Sequence, residues 1–409
     1  MGQPTEAHRA GGPGPADPAA RSPWRREAGF VVPLFLASKA ALAVVALLAS
    51  ILFGPGNYFA GHAVRVGFER YFVRWDAAWY LNVAHNGYTF NQDGTGSVVF
   101  FPLYPLLIRA LSALHLNPAI AGIVLSNACF LAALWVFYRL VQATFGREAL
   151  AQHATALLAF APGLAWFSIG YSESLFLLLS TVTFLQALRQ RFLVAAAFGV
   201  LAGLARPNAL LLALPLAFLG GPALLQDRQL WRVPAGWRRL LAIAAPVVGH
   251  GIFLAYLQFK FGTWHAVSIN ELKGWDAHVA PSWELYRQLV PTVGLHLFDN
   301  PEIFREHVAW SWLLVEFTTA FALIALWEKR ARLWLAVFLL GYFGLHCSIV
   351  QLGAPMYAIA RYSAPLFPLY LAVALFAEDR PWARHATLGI AVMGMTITTL
   401  MLFAGYHIN

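Results

Sequence analysis

Long apolar runs, cut by short clusters of turn-forming or charged residues, make up most of this chain. Runs of roughly 18 or more apolar residues are the signature of helices that cross a bilayer. In order they predict eleven spans, near residues 30–53, 118–141, 150–168, 173–189, 191–206, 208–225, 240–258, 308–328, 333–351, 362–378 and 385–405. The run at 99–115 (VFFPLYPLLIRALSALH) would make a twelfth and invert everything after it. Pro102, Pro105 and Arg109 instead favour a helix lying in the membrane interface. The expected fold is all-α: a polytopic bundle of about eleven transmembrane helices with extracytoplasmic interfacial helices.

Charge orients the bundle. With the N-terminus inside, 17 Lys and Arg residues fall on the inner side and 10 on the outer, with Lys39 within a span. The inner loops are also the short ones, where the positive-inside rule is most reliable. Residues 1–29, rich in Gly, Pro and Ala, are expected to form a disordered cytoplasmic tail ahead of a single membrane domain, 30–409. Two long segments, 54–117 and 259–307, remain on the outer side, and loops this long in a compact membrane protein are usually functional. Outer turns near Tyr171–Ser174, Arg206–Asn208 and Ala354–Arg361 open onto the same compartment.

Composition agrees. Hydrophobic residues make up 59% of 409 and charged ones 11%, more apolar surface than a soluble domain can hide. The net charge of +9 does not point to nucleic acid, because most basic residues sit in the short loops. Arginine outnumbers lysine 24 to 4, as GC-rich bacterial genomes produce, so a bacterial plasma membrane is the expected location. The first apolar run is longer than a typical signal-peptide core and lacks a clean cleavage site, and is read as retained. Cys129 and Cys347 lie in apolar runs, with no disulfide or zinc pattern.

One acidic residue stands out. In RYFVRWDAAWYLNVAHNGY (70–88), a helical reading of 68–86 puts Asp76 on one face with Glu69, Phe72, Trp79, Tyr80 and Val83, and puts Arg70 and Arg74 opposite. Trp75, Trp79 and Tyr80 alone would be ordinary belt aromatics at a membrane boundary. A carboxylate among them calls for a buried basic partner or for catalysis.

The strings RWDAAWY with AHNGY, FFPLYPLL (100–107), YSESLF (171–176), ARPN (205–208), FGTWHAVSINELKGW (261–275) and ARYSAPLFP (360–368) together resemble the PIG-V family of mannosyltransferases. The resemblance covers most of 30–380. It implies a GT-C-type glycosyltransferase, with a catalytic acid in its first outer loop and a polyprenyl or dolichyl phosphate mannose donor. It further implies inversion at the sugar carbon with a single base, for which Asp76 is the candidate. The leaving phosphate then needs cations, and Arg361, Arg206, His265 and Lys260 are the outer-side candidates. Arg361 leads, beside Tyr362, with a snorkelling interface role as its alternative.

Other residues are expected nearby. Glu173 either pairs with an arginine such as Arg206 or positions the acceptor. Glu69 is a possible helper to Asp76. Trp75, Trp79, Tyr80, Tyr104, Asn208 and Tyr362 are candidates for binding substrate or supporting the site. Glu316, well inside a span, should be paired, protonated or facing a cavity. No spacing suggests a metal or a nucleotide cofactor, and Asp93 in NQDGTG reads as a turn residue. The expected partners are the lipid-phosphate donor, a glycolipid or glycan acceptor and membrane lipids, with the protein a monomer. The rival reading is a lipid transporter or flippase using Lys39 and Glu316, against which stand the one-sided polar residues and the lack of an inverted repeat. Transfer of another lipid-linked sugar such as a pentose, or transfer to a protein, are further alternatives.

Overall fold

The computed structural model describes residues 23–53, 73, 75–274, 277–279, 319–320, 322–324, 326–327, 333–347, 349–351 and 359–404. The N-terminal tail to residue 22, Glu69, Glu316 and most of the predicted span 308–328 lie outside them. The helices are α1 (Pro23–Phe53), α2 (Asp76–Asn86), α3 (Leu103–Ser112), α4 (Pro118–Phe145), α5 (Glu148–Ala159), α6 (Glu173–Leu188) and α7 (Phe192–Ala205). There follow α8 (Ala213–Gln226), α9 (Pro234–Phe261), α10 (Ala266–Ile269), α11 (Leu333–Cys347), α12 (Ile359–Ser363), α13 (Phe367–Ala377) and α14 (Pro381–Ala404).

Among the described residues, five stretches are long and apolar enough to cross a membrane: Trp24–Leu52, Pro118–Phe145, Pro207–Gln226, Pro234–Phe261 and Pro381–Phe403. Several other predicted spans form shorter apolar helices. At 1.5 Å per residue, the 16 residues of α6 and the 14 of α7 rise about 24 and 21 Å, short of the roughly 30 Å hydrocarbon core. The predicted span 150–168 divides into α5 and a 3-10 turn at Pro162–Ala165. The predicted span 333–351 stops at Cys347, because residues Ile349–Gln351 (β2) pair antiparallel with Ala277–Val279 (β1) of the second outer loop. The run 99–115 forms only the 10-residue α3, entered through Pro102 at its N-cap.

Local chemistry sets several boundaries. Asn117 caps α4, its Oδ1 accepting from Ala119 N at 2.8 Å, with Pro118 at the first helical position and left-handed Gly146 (φ 70°) at the end. The same proline–glycine punctuation brackets α9, from Pro234 to Gly262 (φ 72°). Neighbouring helices then form a row, α4 against α6, α6 against α7 and α7 against α9. The flanks stay apolar and exposed, with Leu47, Ile51 and Leu52 on α1, Val247, Val248 and Ile252 on α9, and Ile390 and Ile397 on α14. Such a surface suits lipid. At one end of the bundle, Glu27 of α1 accepts from Trp135 and Arg139 of α4, each at 2.7 Å.

Bare backbone joins α7 to α9. A Cβ on Gly203 would lie 2.2 Å from the Pro246 carbonyl oxygen, and one on Gly249 2.1 Å from that of Val200. Small residues let membrane helices approach this closely, where van der Waals packing supplies the attraction. Gly251, on α9, has nothing within 4 Å of a Cβ. Gly203→Ala is therefore expected to cost roughly 1–3 kcal/mol through overpacking, whereas Gly251→Ala should be neutral or slightly stabilising. Unfolding midpoints in detergent test the pair, and equal midpoints would contradict the close approach.

Candidate active site

Four charged side chains meet where helices stop. Glu173 opens α6, and Arg206 follows α7 in an extended conformation (φ −156°, ψ 148°) before the 3-10 turn at Pro207–Leu212. Asp76 opens α2, and Arg361 lies in α12. Irregular backbone at membrane depth is tolerated where protein or a cavity satisfies it, and here the broken ends supply the site.

Glu173 is fully buried and accepts from both arginines through Oε1, from Arg206 Nη1 at 2.8 Å and Arg361 Nε at 2.5 Å. Arg361 extends its Nη2 to Asp76 Oδ2 at 2.6 Å. Two carboxylates and two guanidiniums thus cancel in charge, which lets the group sit out of water. The arginine side chains are 4–5% exposed, whereas Asp76 is 18% exposed and is the member that reaches an open surface. Two valences stay open among the described residues: Glu173 Oε2 and Arg206 Nε are buried without a hydrogen-bond partner.

Aromatic hydroxyls brace the charges. Tyr80 OH and Ser172 Oγ lie 2.7 Å apart, and Arg206 Nη1 donates to the same Ser172 Oγ at 3.0 Å. Burial pushes the Tyr80 phenol up to about 12, so it stays a donor. Tyr171 OH accepts from the Asp76 backbone N–H at 3.3 Å, filling one of the orphan valences of a helix start. Its ring lies 4.5 Å from the Arg361 guanidinium carbon. Tyr362 receives both arginines over its ring, Arg206 at 5.4 Å and Arg361 at 5.5 Å. Trp75, just before Asp76, holds φ 48° and ψ −115°, a costly conformation for a bulky residue.

The remaining candidates divide. Asn208 donates to Tyr342 OH at 2.9 Å, and Tyr342 OH donates to the Tyr362 carbonyl, tying the turn after α7 to the Arg361 segment. Tyr104 is a buried support that donates to the Gly122 carbonyl at 2.9 Å and meets Tyr80 edge-on. Trp79 stacks on Phe100 at 5.6 Å. Lys260 instead donates to the Tyr88 carbonyl at 3.2 Å, and His265 is exposed beside α10; no contact among the described residues joins either to the cluster. Lys260 lies in the last turn of α9, where a cation is at ease with the helix dipole. Lys39 donates to Ser168 Oγ at 2.5 Å and lies 4.4 Å over Phe130.

One expectation needs correction. Helix α2 begins at Asp76, so Asp76 lies in the first turn, where the helix dipole favours a carboxylate, rather than midway along an amphipathic face. Arg206 and Arg361, expected to face a donor phosphate, also hold carboxylates, sharing Glu173, with Asp76 on Arg361. The pairing of Glu173 with an arginine holds, extended to a second one. Glu173 stands out in the YSES string as its acid, whereas nothing in the string marks the hydroxyls of Tyr171 and Ser172 beside it as parts of the site. Asp93 does act as a turn residue, accepting from Thr95 N at 2.8 Å and Thr95 Oγ1 at 2.7 Å.

The fold and this cluster define an integral membrane protein, helical among the described residues apart from one short strand pair, with a charged site at its helix breaks. Residues 41–223 match the family model described as mannosyltransferase (PIG-V), so the resemblance seen in the motifs holds over a stretch that carries Asp76, Glu173 and Arg206. GPI mannosyltransferase 2 of Schizosaccharomyces pombe is 28% identical over 158 residues, 37% of this chain and 32% of that protein. The chain thus spans about a third of the length of that relative. The oligosaccharyltransferase of Archaeoglobus fulgidus in its apo form gives a TM-score of 0.45 at 13% identity, covering 91% of this chain and 56% of that one. Its complex with Zn and sulfate gives 0.43 at 14% identity, covering 90% and 53%.

Removing one partner of a buried charge set leaves the others uncompensated, at about 3–5 kcal/mol. Glu173→Gln is expected to lose that much stability, and adding Arg206→Gln to recover part of it. Thermal unfolding of the purified protein tests this; a Glu173→Gln variant as stable as the native chain would show that Glu173 does not hold the arginines.

Proposed function

We propose that the protein is a mannosyltransferase of the GT-C type, acting on the extracytoplasmic side of the membrane. It moves mannose from a polyprenyl phosphate donor to a hydroxyl of a glycolipid or glycan acceptor. The observation that carries this reading is Asp76: a carboxylate joined to a buried arginine, and the most exposed member of the charged cluster. The PIG-V match supplies the sugar, and lipid-linked mannose fits a protein whose surface is built for a bilayer.

In this reading Asp76 takes the proton of the acceptor hydroxyl as its oxygen attacks the anomeric carbon. The bond from that carbon to the phosphate oxygen breaks, and the phosphate leaves with the electron pair. Proton uptake neutralises Asp76, which frees Arg361 Nη2 as the leaving phosphate gains its second negative charge. A guanidinium placed beforehand stabilises such charge without reorganisation, and Arg206 holds Glu173 in place behind it. Base and cation are thus coupled through one ion pair.

Asp76→Asn is expected to lower transfer of labelled mannose from polyprenyl phosphate mannose to a membrane lipid extract by about 10²–10⁴-fold, while the donor still binds. Transfer at the native rate would remove Asp76 from the mechanism.

A further inference from the structure

A second carboxylate stands at this site without a partner among the described residues. Glu271 lies in the turn Asn270–Gly274, directly after α10. That turn is locked onto the ribbon that follows α2. Asn270 is buried and donates through Nδ2 to the Gly94 carbonyl, and Lys273 Nζ donates to the Gln92 carbonyl at 2.8 Å. The two backbones approach so closely that a Cβ on Gly94 would lie 2.5 Å from Gly274 N, and Gly94 also needs φ 88°. Beyond the turn, β1 pairs with β2, on the chain leading to α12 and Arg361.

Between these anchors the Glu271 carboxyl lies within electrostatic reach of the Asp76 carboxylate and the Tyr362 phenol. No cation or hydrogen-bond donor among the described residues meets it. Half-buried acceptors without donors are costly, so an empty one at a site mouth calls for a ligand that supplies donors. An anionic phosphate would be repelled there, and a prenyl chain has nothing to donate. Hydroxyl groups fit.

We infer that Glu271 binds the sugar of the donor, accepting hydrogen bonds from its hydroxyls while Asp76 and Arg361 face the reacting bonds. This deepens the proposed function and rests on it. Burial, then the charge of Asp76, pushes Glu271 up to about 7. Its acceptor form therefore grows between pH 6 and 8. Asp76 and Tyr362 are the titratable groups facing it, and Lys273 on its own turn is spent on Gln92 and lies near Asp93.

Binding of two probes to the purified full chain tests this: polyprenyl phosphate and polyprenyl phosphate mannose. At pH 8 the native protein should prefer the mannosyl lipid, and Glu271→Gln should lose about tenfold of that preference with polyprenyl phosphate binding unchanged. The native preference should shrink at pH 6. A variant that keeps the native preference overturns this inference alone; a native protein without preference at either pH overturns the donor reading and this inference with it. A second measurement needs no variant. Dicyclohexylcarbodiimide, which attacks protonated carboxyls in apolar surroundings, should label Glu271 at pH 6, and the mannosyl lipid should protect it more than polyprenyl phosphate does. Absent labelling, or equal protection by both lipids, overturns the assignment.

Discussion

The sharing of the Glu173 carboxylate between Arg206 and Arg361 is the interaction on which the site depends. Alone, either guanidinium would be very costly to bury at this depth. With Glu173 between them and Asp76 beyond, positive and negative charges balance, and each remains near its preferred partner. The balance also fixes geometry. Arg361 has one arm on Glu173 and another on Asp76, so the position of the proposed base is set by a group deep in the bundle.

The scaffold that makes this possible is a set of helices too short to cross the bilayer. Helix α6 starts, and α7 ends, at the level of the cluster, and the Arg206 backbone is extended there. A continuous helix would have hidden these peptide groups and carried Arg206 past Glu173. Tyr171, Ser172 and Tyr80 fill the resulting gaps with hydroxyls, so the interruption is satisfied on most sides. The polar site and the broken helices have one cause.

Much of this was legible from residue order, and the failures are instructive. Apolar runs marked the helices because burial in lipid needs long unbroken hydrophobicity, but they could not show where α6 and α7 fall short. Asp76 was visible because a lone acid among aromatics is anomalous. Its ion pair with Arg361 was not, since the two lie 285 positions apart and no local pattern links them. Lys260 and His265 stood beside Arg361 as candidates, and only its neighbour Tyr362 put Arg361 first. Only the fold separates those joined to carboxylates from those left at the rim. Glu271 escaped notice within INELKGW because, next to Lys273, it reads as an ordinary solvated loop charge.

The contact between α7 and α9 has a mechanical meaning. At Gly203 and Gly249 the two main chains touch with no side chain between them to shear or change rotamer, so the pair is stiff there and acts as a panel. Arg206 rides on one edge of that panel, and the loop bearing Glu271 leaves from the other helix. Relative movement of Arg206 and the loop bearing Glu271 is therefore resisted first at this contact.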